Sequence, residues 1–480
     1  MKKRISSIDI LRGIAIIGMI FCANIGFNSG LPAWMFHAQT PPPTYAFDPA
    51  AAGLTWVDLV FPFFLFSMGA AFPLAMRKKF ENGAGIGPTV LQLLKRWAIL
   101  TLFALVIGNT SYTIWSSSRP AWQANLFLIA VWAALFPALV RTERKWVNIA
   151  GAALICSLGC LLYSWFGITP DKGTSDIIIM ILANVALWGG LVWVLTRNSL
   201  RLRWLVILFI AAVKAAFSYV PALSALTGSG WCLSWLFNPE WLQYLLIALP
   251  GSIAGDLILE HSRSGKALSA GRKESVAAFI ALAAVLVQLW GLYLRAVLID
   301  FIATAVLAAA FLILTGRERN IYRTIGITGF ALLLAGIALD PVDGGITKDY
   351  CNLSYLFTTG GMAMLATAVL VLLEFRYNIQ CSFISGIGQN PMVAYTVTSY
   401  VIGPVFSLLG IMPLLFSLSE GNRFWGIVQG IILTSLMMVA TWLCTKLKLY
   451  WKSCYEKIHH FRSRRPHLRQ HIRCKPEKSI

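Results

Sequence analysis

The chain is expected to fold as an all-α, polytopic transmembrane helical bundle, on three observations. Of its 480 residues, 58% are hydrophobic and only 12% are charged, where a soluble chain carries roughly a quarter charged residues. Long apolar runs recur without the alternation that barrel strands need, as in Trp97 to Ile107, Phe127 to Val140, Ile177 to Leu195 and Ile427 to Cys444. Lipid offers backbone amides no partners, so such runs close their hydrogen bonds as helices. Basic residues, finally, cluster between alternate runs, the pattern of cytoplasmic loops.

Taken in order, Lys2, Lys3 and Arg4 precede a first span over Ile10 to Phe27. This start imitates a signal peptide, but no small-residue cleavage site follows and many spans do, so retention is expected. Arg77, Lys78, Lys79, Lys95 and Arg96 follow the second span; Arg141, Arg144 and Lys145 form the next basic loop, then Arg197, Arg201 and Arg203. Arg263, Lys266, Arg272 and Lys273 come next, then Arg317, Arg319 and Arg323. The intervening loops hold one basic residue at most: Arg119, Lys172, Arg295, Lys348 or Arg423. Both termini are therefore expected in the cytoplasm with an even number of spans. Fourteen apolar segments are legible, or ten or twelve spans where some segments are re-entrant or interfacial. The membrane domain takes residues 1–445; residues 446–480 form a basic cytoplasmic tail with eleven Lys/Arg against Glu456 and Glu477, suited to anionic headgroups. The net charge of +20 is thus a topological charge, and a nucleic-acid partner is not expected.

Chemistry is expected at the outer loops. Asn28 to Gly53 contains Pro41, Pro42 and Pro43, no Lys or Arg, and His37, the one histidine of six on that side. Imidazole titrates near neutral pH and suits general-base work. Asp58 opens the second span in TWVDLVFP. With Thr55 as N-cap it makes an acidic capping box, which is a structural reason for a carboxylate there; orienting an imidazole is a second one. Asn24, at the outer end of the first span, has an amide suited to a developing oxyanion. Asp9 and Arg12 are spaced for an i,i+3 pair. Lys214, Asp256 and Glu260, within or near spans, keep a transporter reading open, because intramembrane charges mark ion paths. Cys232 and Cys351 both fall in outer loops, where unpaired cysteines are the commoner case. No Walker loop, HExxH, GxSxG or CxxC framework occurs, so ATP-driven transport, metal-assisted hydrolysis and a nucleophile-elbow serine are not expected, and no metal is assigned.

These residues resemble a known pattern. SSIDILRGIAIIGMIFCAN, then His37-Ala38, then GLTWVDLVFPFFLFSMG resembles the opening of the heparan-alpha-glucosaminide N-acetyltransferase-like transmembrane acyltransferases and their bacterial relatives. The resemblance runs through Ser7, Asp9, Arg12, Gly13, Asn24, Thr55, Asp58 and Pro62, and later through Asn109, NPEWLQY with Glu240, the Lys348 to Tyr355 segment, and GQNPMVAY with Asn390 and Tyr395. The chain departs from the pattern in the segment Gln39 to Ala52, inserted between His-Ala and Gly-Leu-Thr, and in about four additional spans. The resemblance implies a multi-pass protein of the bacterial inner membrane whose residues 1–445 form an acyltransferase domain. Acetyl-CoA is the implied co-substrate, entering from the cytoplasm, and an amino sugar or glycan at the outer face is the implied acceptor. In that scheme His37 is base or acetyl carrier, Asp58 orients it and Asn24 polarises the carbonyl. Arg77, Lys78, Lys79 and Arg96 meet the coenzyme phosphates; Glu240, Lys348 and Asn390 meet the acceptor. The partners are then the bilayer and the glycan, with a homodimer left open. The alternative is a transporter or flippase of a sugar or glycolipid without acyl transfer.

Overall fold

A computed structural model of the chain describes residues 5–112, 117–220, 235–264, 268, 271–316 and 320–451. Cys232 and residues 452–480, most of the expected tail, lie outside them. The described residues are helical, with one isolated bridge between Val140 and Trp451. In chain order the helices are α1 (Ser7–Asn24), α2 (Val60–Glu81, led by a 3-10 turn over Trp56–Leu59), α3 (Ile86–Ile107), α4 (Ala121–Leu139), α5 (Lys145–Phe166) and α6 (Ile177–Thr196). There follow α7 (Leu200–Tyr219), α8 (Leu245–Ser264, led by Pro239–Tyr244), α9 (Arg272–Gly291), α10 (Val297–Thr315), α11 (Ile321–Leu339) and α12 (Leu353–Phe375). Last come the short α13 (Ser382–Gln389), then α14 (Pro391–Val397), which runs through Thr398–Ile402 into α15 (Gly403–Leu408), and finally α16 (Ile411–Ser419) and α17 (Arg423–Lys446).

Thirteen segments among the described residues have the length and apolarity to cross a membrane. Helix α7, which carries Arg201, Arg203 and Lys214, is not one of the thirteen. It nevertheless runs the depth of the bundle. Arg203 near its start bonds Thr196 at the end of α6, and Tyr219 at its end bonds Asp343 in the loop after α11. Thirteen is one fewer than the fourteen apolar segments legible in the sequence, and α7 is the difference. The two described ends meet at one face of the bundle. The Ser6 and Ser7 amides donate to the two carboxylate oxygens of Glu374, both at 2.7 Å. At the same face Thr445 bonds the Gly386 carbonyl, and Asn390 donates to the Leu449 carbonyl.

Glu374 closes the first turn of α1, where amides have no partner within the helix. Glu374→Ala is expected to lower stability by about 1.5–3 kcal/mol, the scale of hydrogen bonds to a charged group. The measurement is the unfolding temperature in detergent, and Glu374→Gln should keep part of the effect because one acceptor survives.

The helices pack closely because small residues line their contacts, the usual device where lipid supplies no hydrophobic drive for association. A Cβ on Gly69 of α2 would meet the Ala248 carbonyl oxygen at 1.8 Å, and one on Gly251 or Gly255 of α8 would meet α2 carbonyls at 2.2 Å. That packing aligns α2, which carries Asp58 at its head, against the enclosed α8.

Candidate active site

The end of α1 and the start of α2 are bridged by residues 25–55, and this bridge is folded rather than slack. Phe27, Phe36 and Tyr45 pack together, Tyr45 T-shaped against both phenyl rings, with centroids 5.0–5.4 Å apart. The Thr55 hydroxyl lies 2.8 Å from the Phe36 carbonyl, so the residue before His37 is tied to the start of α2. Within the inserted segment Gln39 is buried and donates to the Ala51 carbonyl at 3.0 Å, closing the insertion on itself.

Asp58 sits at the third position of its 3-10 turn, and the Thr55 amide donates to its Oδ2 at 3.0 Å, as the capping box predicts. The carboxylate also accepts from the Ala38 amide at 3.3 Å, and its own backbone carbonyl accepts from the Tyr355 hydroxyl at 2.9 Å. Its other oxygen lies 2.6 Å from His37 Nδ1. At that distance an unprotonated Nδ1 would set lone pair against lone pair, so Nδ1 carries the proton that the carboxylate accepts. The imidazole is about a third exposed while the carboxylate is fully buried.

Lys348 joins the pair. Its ammonium lies 3.1 Å from His37 Nδ1 and 3.9 Å from Asp58 Oδ1. The loop that brings it is rigidly made. Arg295 grips Asp340 through two bonds of 2.7 and 2.9 Å, Asp340 also accepts the Ile346 amide at 2.7 Å, and the Ile346 carbonyl accepts the Gly53 amide at 2.9 Å. Gly345 has φ +108°, and a Cβ there would meet Ala52 at 2.6 Å, so glycine is required for the loop to lie against the insertion. Cys351 in this loop is an unpaired, buried thiol, and burial pushes its pKa up to about 12. It is chemically quiet at neutral pH.

His37 opens on a cavity of about 340 Å³, whose walls include Ile20, Phe36, Thr40, Ile107, Asp176 and Tyr400. A second cavity of about 110 Å³ lies toward the face where the described ends meet, lined by apolar side chains together with Arg12, Arg96 and Gln389. Met19, Ile178 and Tyr395 are walls of both. The helix walls of the His37 cavity are distorted. Gly108–Tyr112 and Thr398–Ile402 are π turns, and they meet where the Thr110 and Tyr400 hydroxyls lie 2.6 Å apart. Such turns gather at functional sites.

Of the residues singled out from sequence, His37, Asp58 and Lys348 are brought together, and Arg96 lines the second cavity. The others lie elsewhere. The Asn24 amide donates back to the Ile20 carbonyl at 2.6 Å, and Asn24 lines neither cavity. Arg77 donates to the Arg197 carbonyl at 2.7 Å and lies 3.8 Å from Asp256; Lys79 bonds Gln92, and Lys78 is exposed. Glu240 is exposed and bonds its neighbour Asn238. Asn390 is buried at the face opposite His37, holding the end of α17. The expected Asp9–Arg12 pair is present at 3.4 Å, but Arg12 also bonds Ser67 and the Gly388 carbonyl while lining the second cavity. An arginine one turn into an apolar span was the signal for that role. Asp176 had no such signal, and Tyr395 entered the sequence reading only through the GQNPMVAY resemblance, with no role attached to it.

The charge that suggested an ion path is used internally. Asp256 pairs with Arg203 at 2.7 Å and accepts from the Trp193 indole at 3.1 Å, with Arg203 fully buried.

Fold and site together define a multi-pass helical membrane protein with a histidine–carboxylate pair at one end of its bundle. The chain belongs to the family described as Domain of unknown function (DUF5009), whose profile matches residues 4–258. It is also similar to the human (Homo sapiens) protein named heparan-alpha-glucosaminide N-acetyltransferase, at 28% identity over 162 residues. The match takes in 31% of this chain and 22% of that protein, so the chain spans about a fifth of the length of this curated relative. The relationship is a distant one to a membrane acetyltransferase.

Proposed function

We propose that this protein is a transmembrane acyltransferase that moves an acetyl group from acetyl-CoA to the amine of an amino sugar or glycan at the face carrying His37. The observation that supports it most is His37 Nδ1 held 2.6 Å from buried Asp58, with the imidazole lining a cavity that also carries Thr40, Asp176 and Tyr400. The second cavity suits the coenzyme. Its Ile16, Met19, Met68 and Leu100 walls suit the methylene and gem-dimethyl groups of a pantetheine arm, and Arg96 presents a buried Nε that has no partner among the described residues. Arg12 and Arg96 are then the phosphate-side contacts, in place of Arg77, Lys78 and Lys79. The protein sits in a bacterial inner membrane with its basic loops to the cytoplasm, where acetyl-CoA is found.

In this reading His37 Nε2 accepts the proton of the attacking amine, Asp58 stabilises the imidazolium that forms, and Lys348 orients the acceptor's hydroxyls beside the ring. Thr40, from the inserted segment, also lines the cavity, which makes that segment a determinant of which sugar fits. The test is transfer of labelled acetyl from acetyl-CoA to glucosamine or its oligomers by purified protein in proteoliposomes, with linkage analysis to separate N- from O-acetylation. Sugar uptake without coenzyme turnover would support the transporter reading instead. Arg96→Gln should raise KM for acetyl-CoA about tenfold, the effect of about 1.4 kcal/mol of lost phosphate contact. Its kcat should hold, and exposed Lys78→Gln should change neither; initial rates against coenzyme concentration check both.

A further inference from the structure

An acyl group passing from the coenzyme cavity to His37 crosses the wall the two cavities share. Met19, Ile178 and Tyr395 form that wall, and Tyr395 alone of the three carries a polar side chain. The reaction develops negative charge on the carbonyl oxygen, and that charge needs a donor in place before it forms. The Asn24 amide is turned to Ile20 instead. Building on the acyl-transfer reading above, we propose that Tyr395 is the hydrogen-bond donor to this oxyanion, with Asp176 as the positioning residue that holds its hydroxyl.

The Tyr395 hydroxyl lies 2.8 Å from Asp176 Oδ2. Asp176 is in turn immobile: it is the N-cap of α6, its Oδ1 accepts the Ile179 amide at 3.0 Å, and its own amide donates to the Ala104 carbonyl at 3.0 Å. Both side chains line the His37 cavity. The carboxyl is almost wholly buried, and burial pushes its pKa up against the hydrogen bonds from Ile179, Tyr395 and Ile178 that hold it down. Asp176 Oδ2 accepts the Tyr395 O–H in the resting site, which holds the phenol at the cavity wall until the acyl oxygen, as it gains charge, takes that hydrogen bond.

The step balances. The amine lone pair forms the C–N bond while the carbonyl π pair moves onto oxygen, where Tyr395 O–H meets it. Collapse restores C=O and breaks the C–S bond, and coenzyme A leaves as thiolate. The proton that His37 took from the amine passes to that thiolate, giving the amide and free coenzyme A.

The experiment measures kcat and KM for acetyl-CoA in the full-length protein, with coenzyme A binding followed by calorimetry. Tyr395→Phe should lower kcat about 100-fold, as loss of one oxyanion donor does, with KM and coenzyme A affinity within about twofold of wild type. Asp176→Asn, which keeps the N-cap acceptor, should lower kcat about tenfold with KM unchanged, the split expected of a residue acting through a hydrogen-bond donor. Should Tyr395→Phe unfold, Asp176→Asn carries the test alone. Retention of kcat within about threefold, or a loss confined to KM, overturns the proposal. Wild-type protein that transfers no acetyl group overturns the acyl-transfer reading and this inference with it, whereas active wild type with unaffected variants overturns this inference alone.

Discussion

Replacing His37 with alanine is expected to lower acetyl transfer by about 10²–10⁴-fold, the range a positioned general base supplies. The loss should fall on kcat, because Arg12 and Arg96 are walls of the neighbouring cavity and remain in place. Asp58→Asn should be comparably damaging for a different reason. An asparagine amide facing Nδ1 favours the tautomer with the proton on Nε2, which cannot then accept one. It also removes a carboxylate that accepts from Thr55, Ala38 and His37 together. Steady-state rates with labelled acetyl-CoA check both. Transfer undiminished in His37→Ala would sink the mechanism.

The largest stability effect is expected at Asp256. Arg203 is fully buried and takes its main charge partner from Asp256 at 2.7 Å, with Thr196 and Ser252 as neutral partners. Asp256→Ala should cost about 3–5 kcal/mol, the scale of a buried pair broken from one side. Most of that cost is the arginine charge left in a poorly solvated place. The measurement is a denaturant or thermal unfolding curve in detergent. A double replacement, Asp256→Leu with Arg203→Leu, should recover much of the loss, since it leaves no buried charge behind. Unchanged stability in the single variant would mean that Arg77, at 3.8 Å, belongs to a pair the arginine does not need.

The histidine–carboxylate part of the site was legible in sequence because its determinants are local. Thr55 and Asp58 are three residues apart, their capping geometry is set within one turn, and His37 lies in the short bridge that starts at the end of α1. Lys348 is 311 residues from His37. It was placed as an acceptor contact, and only the docking of the Asp340 loop against Gly53 and Ala52 sets it on the imidazole. The amides fared differently. Asn24, at a helix end, and Asn390, between two helices, meet many backbone carbonyls, and which one each takes depends on packing. Arg77, Lys78 and Lys79 share a charge pattern with coenzyme-binding loops, yet one is spent on a carbonyl and a carboxylate, one on a glutamine, and one faces outward.

By itself the sequence determined that this chain is an all-helical membrane bundle of many spans, and that a histidine and a carboxylate lie close together in the bridge between the first two. Those properties follow from hydropathy, from the cost of unpaired amides in lipid and from short-range capping, all of which act along the chain. The tertiary structure decided what stands around the imidazole. It brought Lys348 to the histidine, turned Asn24 away, made Arg12 and Arg96 the cations of an inner cavity, and set Tyr395 at the wall between with Asp176 beside it. Those choices depend on which helices touch, and close contact between small residues far apart in the chain, such as Gly69 with Ala248, is a property of the packed bundle that no single span carries.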